Sequence, residues 1–311
     1  MKTLDYILSQ EGKIILILHL SPDPDCIGSS LALYQFLRKF NKDVQIISKD
    51  EPPQTISFLK DFDEIMVLDN VPKASLYILV DHSEVDRSGF EIKNNLLKID
   101  HHISDIIYSK YDFVDPNAPS TTHLILELIK SFDENLIDEN IAECIFVGLM
   151  SDTGNFTYSN LKEAFKSALY LANRGFDLNK FSERYNKNSS INRLRLIQLA
   201  LSTLVQDDEV AYIIVKSEFY KISGAKKYEN YGIVDYPLSL KEVKVAMKFE
   251  EIDKNKWKVN LRSKIGVNVQ PFAKKYGGGG HENASAFRIE GNEKDVIENV
   301  VSDLKQYLRN S

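Results

Sequence analysis

Eight side chains in this sequence have the types and spacing for metal-assisted chemistry: His19, Asp23, Asp25, Asp81, Asp100, His101, His102 and Asp152. They fall in four short clusters: His19-Leu-Ser-Pro-Asp23-Pro-Asp25, Asp81, Asp100-His101-His102, and Ser151-Asp152-Thr153-Gly154. Each cluster alone has an ordinary explanation. Asp23 and Asp25 suit turns and caps, Asp81 a helix cap, Asp152 an Asx turn, and the histidines a polar surface. Gathered in one site, several ionised carboxylates are tolerated only if some protonate or cations neutralise them. Oxygen and imidazole donors without a thiolate suit Mn²⁺, with Mg²⁺, Co²⁺ or Zn²⁺ as substitutes. The donors suffice for two ions, and a pair about 3.5–4 Å apart is a recurrent device for in-line phosphoryl displacement. Asp81 is the candidate bridging ligand. Cys26 lies inside the first cluster and reads as a small buried residue, because no base is paired with it in sequence.

The elements needed to position these groups are legible. Residues 13–18 (KIILIL), Leu76–Val80 (LYILV) and residues 96–99 (LLKI) are short apolar runs of the kind that form central parallel strands. Each ends at one of the clusters, and in open α/β sheets the carboxyl edge of the strands is where ligands bind. Residues 44–47 read as a further strand. Residues 1–11, 27–40, about 121–132 and 137–150 read as helices, the third starting at Ser120-Thr121-Thr122. The two prolines, Pro22 and Pro24, are expected to hold His19, Asp23 and Asp25 on a strand-to-helix loop. Strands alternating with helices predict a doubly wound, mainly parallel α/β sheet.

The 160–204 stretch is helical in pattern, with a polar break at 186–190 where a domain boundary is expected. Beyond it the pattern turns β-rich. Strands are expected at 209–215, 243–249, 257–263 and 286–289, and helices at 267–275 and about 293–308. This gives a catalytic, metal-binding domain over 1–185, a helical linker over 186–204 and a smaller mixed α/β domain over 205–311. Four consecutive glycines, 277–280, precede His281. No Lys-Ser/Thr follows, so this is no Walker loop. No βαβ unit surrounds it, so it is no dinucleotide fingerprint. Such a run lets backbone N–H groups approach an anion closely. Arg262, at a strand end upstream, could grip a phosphate with two hydrogen bonds.

Composition narrows the field. The formal charge of -6 over 311 residues argues against a broad grip on long duplex nucleic acid. A local basic pocket for a short nucleotide stays open. Two isolated cysteines make neither a disulfide framework nor a zinc motif, so a reducing, cytoplasmic setting is expected. The acidic N-terminal stretch lacks the apolar core of a signal peptide, and no apolar run reaches membrane-spanning length.

Taken in order, these clusters resemble the DHH phosphoesterase superfamily over nearly the whole chain. The first cluster with Cys26-Ile-Gly28-Ser29 looks like its first motif. Asp81 with Arg87 looks like the second, Asp100-His101-His102 the motif that names the family, and Ser151–Gly154 the fourth. Arg262 with Gly278-Gly279-Gly280-His281 is similar to the DHH-associated C-terminal domain. The resemblance implies that His19, Asp23, Asp25, Asp81, His101 and Asp152 ligate two Mn²⁺ ions. Asp100 would orient from behind them. His102 would sit at the scissile phosphate as electrostatic stabiliser or proton donor. Arg262, Gly278, Gly279, Gly280 and His281 would hold the substrate's phosphate or terminal nucleotide, across a cleft between the domains. The compact length and glycine-histidine loop look most like the nanoRNase/pAp phosphatase branch. That branch removes nucleotides from very short RNA or DNA, or the 3′-phosphate from pAp, by water activated between two metals. A homodimer is implied by the resemblance alone. Competing expectations are a cyclic or linear dinucleotide phosphodiesterase, a RecJ-like single-strand exonuclease, a family II pyrophosphatase and a non-catalytic nucleotide sensor. His123 stands where relatives often carry an acidic residue.

Overall fold

The computed structural model describes residues 2–157 and 160–310. The chain divides into two units, Met1–Asn188 and Ser189–Ser311, parted within the polar 186–190 stretch.

The first unit runs α1 (Lys2–Ser9), β1 (Ile14–Ile17), α2 (Pro24–Arg38), β2 (Val44–Ser48), β3 (Ile65–Val67), β4 (Leu76–Val80), β5 (Leu96–Asp100), β6 (Phe113–Val114), α3 (Thr121–Asp133), α4 (Glu139–Asp152), α5 (Leu161–Ala172) and α6 (Leu178–Asn186). Its sheet has the order β3-β2-β1-β4-β5-β6, and every pairing is parallel. The chain winds outward from β1 to β3, then restarts at β4 on the other side of β1. The switch point therefore lies between β1 and β4, where α/β sheets open a crevice at the strand ends. All four β1 residues are buried, which explains the unbroken apolar run. Ile14 and Leu16 face a large core shared with α2, α3 and α4. Ile15 and Ile17 face a smaller one with Leu79, Phe90, Ile92 and Leu96. Irregular segments bearing Leu68, Val85 and Tyr108 cover that second face.

Helix α2 starts three residues before the expected 27–40 span. Asp23 is its N-cap, accepting from the Asp25 and Cys26 amides at 3.1 and 3.0 Å. Pro24 occupies the first helical position, where its missing N–H costs nothing. Pro24 thus opens the helix instead of only fixing a loop, and Asp25 belongs to the first helical turn. Likewise β5 extends through Asp100, and α4 ends on Asp152 itself. Helices α2 and α4 pack closely because Gly28 faces the Cys144 carbonyl and Gly148 faces Asp25 and Thr122.

The second unit runs α7 (Ile191–Leu201), β7 (Val205–Asp207), β8 (Val210–Val215), α8 (Ser217–Ser223), α9 (Asp235–Leu238), β9 (Val245–Asp253), β10 (Lys256–Ser263), α10 (Gln270–Lys275), β11 (Gly279–His281), β12 (Ala284–Glu290) and α11 (Glu293–Asn310). Its sheet order is β11-β12-β10-β9-β8-β7, mixed because only β8 and β9 are parallel. Alternate residues Val245, Met247, Phe249, Trp257, Val259 and Leu261 form its core with residues of α10 and α11. The stretch expected as a linker does not behave as one. Leu196, Ile197 and Ala200 of α7 pack on Ile213, Val215 and Phe219, so α7 is part of this unit's core. The expected glycine loop is also partly strand: Gly279–His281 pair antiparallel with β12. Among the described residues no helix is long and apolar enough to cross a membrane.

Candidate metal centre

The first unit brings all eight predicted side chains to one place at the switch point. His19 follows β1, Asp81 follows β4, Asp100 ends β5, and His101 and His102 follow it. Asp23 and Asp25 come from the start of α2, and Asp152 from the end of α4. His19 Nε2 lies 3.7 Å from both Asp23 Oδ2 and Asp81 Oδ2. His101 Nε2 lies 3.0 Å from Asp152 Oδ2, 3.7 Å from Asp81 Oδ1 and 4.0 Å from Asp25 Oδ2. Among the described residues of this unit, three donor triads converge within 4.8 Å, and Asp81 belongs to each.

The backbone aims these groups. Asp81 has φ 64°, a left-handed conformation that aspartate tolerates better than most residues. Its amide still donates to Ile99 O at 2.9 Å, so the turn happens one residue past the strand pairing. Asp25 is clamped at the N-terminus of α3: Oδ2 accepts from Thr121 N at 2.7 Å and Oδ1 from Thr122 N at 3.0 Å. Thr121 Oγ1 donates to Asp81 Oδ1 at 2.8 Å. Ser120, the α3 N-cap, accepts from His123 N. Sequence reading singled out 120–122 only as a helix start; the pairing with Asp25 needs the fold. Two of the histidines have Nδ1 against a backbone carbonyl, His19 on Leu20 O at 2.9 Å and His101 on Ala118 O at 3.2 Å. That contact sets a proton on Nδ1 and turns Nε2 toward the carboxylates.

The electrostatics match a cation site. Burial and then the charge of Asp152 raise Asp25 to about 7. Burial, then Asp25 and Asp23, push Asp81 well above the carboxylate range. For Asp23, burial is outweighed by the hydrogen bond and charge of His19, and its carboxyl is lowered. Burial opposes charge on His101, but the hydrogen bond and charge of Asp152 prevail and raise it to about 10. The donor set thus strains against its own ionisation, and it offers oxygen and imidazole nitrogen at converging positions. These residues fit a divalent cation. The Cys26 thiol is close, but it donates to Val80 O at 3.3 Å and burial raises it well above its usual value. It is an inert thiol, as its lack of a base suggested.

Asp100 and His102 form a separate pair, with His102 Nδ1 2.6 Å from Asp100 Oδ1. Burial would raise Asp100, yet the bond to His102 overrides it and holds the carboxyl at about 2. Burial holds His102 below its ordinary value despite Asp100. The neutral ring then carries its proton on Nδ1 and presents Nε2 as the acceptor nitrogen.

His82 was missed by sequence reading. It is fully buried, 6.3 Å ring to ring from His19, with Nδ1 on Val80 O at 3.0 Å. Burial and the neighbouring His19 push it down to about 3, so it stays neutral. Its place next to Asp81 was the available signal. Arg87 is exposed, and its carbonyl accepts from Leu20 N at 2.7 Å, tying the first two loops together. His123 contributes nothing to the centre: its Nδ1 meets Ser167 Oγ of α5 at 2.9 Å.

In the second unit the strand register joins the residues the sequence picked. Arg262 of β10 pairs with Ala284 of β12, which pairs with His281 of β11. The adjacent same-face rung is Asn260, Ala286 and Gly279. Small Ala and Gly residues thus floor a face between an arginine and a histidine. The four glycines are not equivalent. A Cβ on Gly278 would meet Ala286 O at 2.2 Å, and one on Gly280 would meet Ala284 O at 2.3 Å. Gly277 needs its φ of +73°, and a Cβ on Gly279 would meet nothing within 4 Å.

Comparison with known proteins accounts for both units. The DHH family, N-terminal domain, matches residues 13–149, and the DHHA1 domain matches residues 217–310. On this sheet and donor set, that pairing defines a phosphoesterase. The chain carries a DHH domain followed by a DHHA1 domain. It is 28% identical over 304 residues to the bifunctional oligoribonuclease and PAP phosphatase NrnA of Thermus thermophilus, covering 96% of this chain and 91% of that protein. To the protein of the same name from Bacillus subtilis it is 28% identical over 306 residues, covering 96% and 95%. The solved structure of an exopolyphosphatase-related protein from Bacteroides fragilis superposes with a TM-score of 0.85 at 28% identity, covering 99% of this chain and 97% of that one.

Proposed function

We propose that this phosphoesterase is a Mn²⁺-dependent hydrolase of short nucleotides, acting on very short oligoribonucleotides and on pAp. The convergence of Asp25, Asp81 and His101, with His19 on the other oxygen of Asp81, carries this reading, because it puts oxygen and imidazole donors on both sides of one carboxylate. The full-length similarity to proteins named bifunctional oligoribonuclease and PAP phosphatase supports the substrate class. His19, Asp23, Asp25, Asp81, His101 and Asp152 would hold the ions, Asp81 offering one oxygen toward His19 and the other toward His101. Mg²⁺ or Co²⁺ would substitute. When bound, the cations set positive charge against the phosphate oxygens and make water a better nucleophile at neutral pH.

The chain's own groups do the rest. Thr121 and Thr122 amides keep Asp25 aimed, and Thr121 Oγ1 steadies Asp81. Asp100 fixes the His102 ring and stabilises its imidazolium form, so His102 can take a proton at Nε2 and return it to the departing oxygen. Arg262 and His281, with the Gly278–Gly280 backbone at the β11 edge of the sheet, would grip the substrate's terminal phosphate.

The test is a product assay with Mn²⁺, offering pAp, a 5′-phosphorylated dinucleotide, a long RNA, cyclic di-AMP and pyrophosphate side by side. Fastest loss of pAp and the dinucleotide is expected. Equal degradation of the long RNA identifies a processive exonuclease, and preference for the cyclic dinucleotide or pyrophosphate moves the substrate class. No turnover with metal bound leaves a nucleotide sensor.

A further inference from the structure

Strand β5 carries a lysine where its register calls for an apolar residue. Lys98 lies on the same face as Leu96 and pairs with Leu79, and both leucines belong to an apolar cluster. Its side chain is nevertheless buried, with 1% of the residue exposed. The ammonium group meets three oxygens: Ile106 O at 2.7 Å, Ser83 O at 3.3 Å and Ser104 Oγ at 3.5 Å. Ser83 follows Asp81-His82 after β4, and Ser104 and Ile106 follow His101-His102 after β5. Ser104 Oγ also reaches Ser83 O, at 3.4 Å. A second tie runs parallel, with Val85 N donating to Tyr108 Oη at 2.8 Å.

We propose that Lys98 is a positioning residue of the metal centre: it clamps the loop after β4 to the loop after β5 and so fixes Asp81 relative to His101 and His102. The choice of residue follows from the chemistry. The Ser83 and Ile106 carbonyls, on half-buried and exposed loop residues, meet the end of a buried stem, where an ammonium group without acceptors would be costly. An ammonium group has three donors and no acceptor, enough for all three oxygens from one stem that rises through the sheet's face. No apolar residue could fill that seam. The role is distinct from ligation, because Lys98 offers no ligand atom.

This inference rests on the metal-centre reading, so its test has an arm that does not depend on metal. Lys98→Met keeps the stem and removes the donors. Hydrogen exchange should quicken in peptides covering 82–88 and 102–109, with no change over β1 and β2. Titration by calorimetry should show Mn²⁺ binding weakened by about tenfold or more, the usual scale for losing a group behind metal ligands. The value of kcat should fall with KM nearly unchanged, and Lys98→Arg, which restores donors, should recover part of each loss. Ser104→Ala gives a smaller quickening in the same peptides and serves if Lys98→Met does not fold. Unchanged exchange in both loops overturns the clamp. Quickened loops with unaltered Mn²⁺ affinity overturn its positioning role and leave Lys98 a packing residue. Quickened loops in a protein whose wild type binds no Mn²⁺ uphold the clamp and refute the metal reading instead.

Discussion

Replacing Gly148 with Ala should damage the centre from behind. Gly148 sits on α4 facing the start of α2, where a Cβ would meet Asp25 Oδ1 at 2.3 Å, Thr122 Cγ2 at 2.4 Å and Thr122 Oγ1 at 2.5 Å. Neither neighbour yields easily. Asp25 is held by two backbone amides, and Thr122 Oγ1 is hydrogen-bonded to Ser120 Oγ at 2.8 Å. Overpacking a tight interior costs about 1–3 kcal/mol, and three such contacts place this site at the upper end. Glycine-to-alanine inside a helix returns roughly 1 kcal/mol of backbone propensity. The net loss is about 1–2 kcal/mol, or roughly 2–8 °C in Tm for a unit of this size. Because the displaced atom is a carboxylate oxygen of the centre, Mn²⁺ affinity should fall with it. Differential scanning fluorimetry in EDTA reads the first effect, and calorimetric Mn²⁺ titration well below both melting points reads the second. A variant with wild-type Tm and wild-type Mn²⁺ affinity would show that α4 does not press on Asp25, and the packing argument fails.

Asp81→Ala removes the residue common to the three donor triads and should abolish both turnover and Mn²⁺ binding; normal activity would sink the proposed mechanism. Without metal, stability should fall as pH rises from about 6.5 to 8, above the range in which the lowered His82 and His102 act in the opposite sense and below that of the lowered Lys248. Asp25, at about 7, and His101, at about 10, each bind more protons folded than unfolded, so their contributions are lost as pH climbs through those values. Asp23 and Asp100 are lowered and contribute only above the usual carboxylate range, so they are constant across this window. Added Mn²⁺ should raise Tm most at the alkaline end, because ligands must be deprotonated to bind. A melting temperature in EDTA that is flat or rises with pH contradicts the assignment. In the second unit, Gly278→Ala should lower stability while Gly279→Ala should not, since only the former Cβ strikes Ala286 O and Phe287. Equal melting curves for the two would refute the register of β11.

The apolar runs that feed the centre were plain in the sequence, because buried parallel strands leave an unbroken hydrophobic signature. Leu76–Val80 stands where it was expected, residue for residue. The eight candidate side chains of the first unit were also legible, since clusters of the same chemistry recur four times, three of them after β1, β4 and β5 and the fourth at the end of α4. What stayed hidden were features whose meaning comes from a neighbour. Pro24 punctuates a loop in sequence, but with Asp23 as cap it begins a helix. Lys98 is lost within an apolar run, and its partners appear only once the loops after β4 and β5 are in place. His82 is overshadowed by Asp81, and the clamp on Asp25 by Thr121 and Thr122 spans almost a hundred positions. Strands β3, β6 and β7 are only two or three residues long, too short for any periodicity to register. Helix α7 resembles a linker by position, and only its burial against β8 assigns it to the second unit.

The parallel order of the first sheet also bears on how the chain is made. Strand β1 emerges first from the ribosome and must wait for β4 and β5 before both its edges and its carboxyl end are dressed. Asp25 then waits for the amides of Thr121 and Thr122, and His101 for Asp152 at the far end of α4. A nascent chain halted before residue 152 holds crowded acids without their last counterpart. A chain that stops before Asp152 cannot make the contact that closes on His101, so truncation there should leave the first unit more sensitive to protease than the full chain.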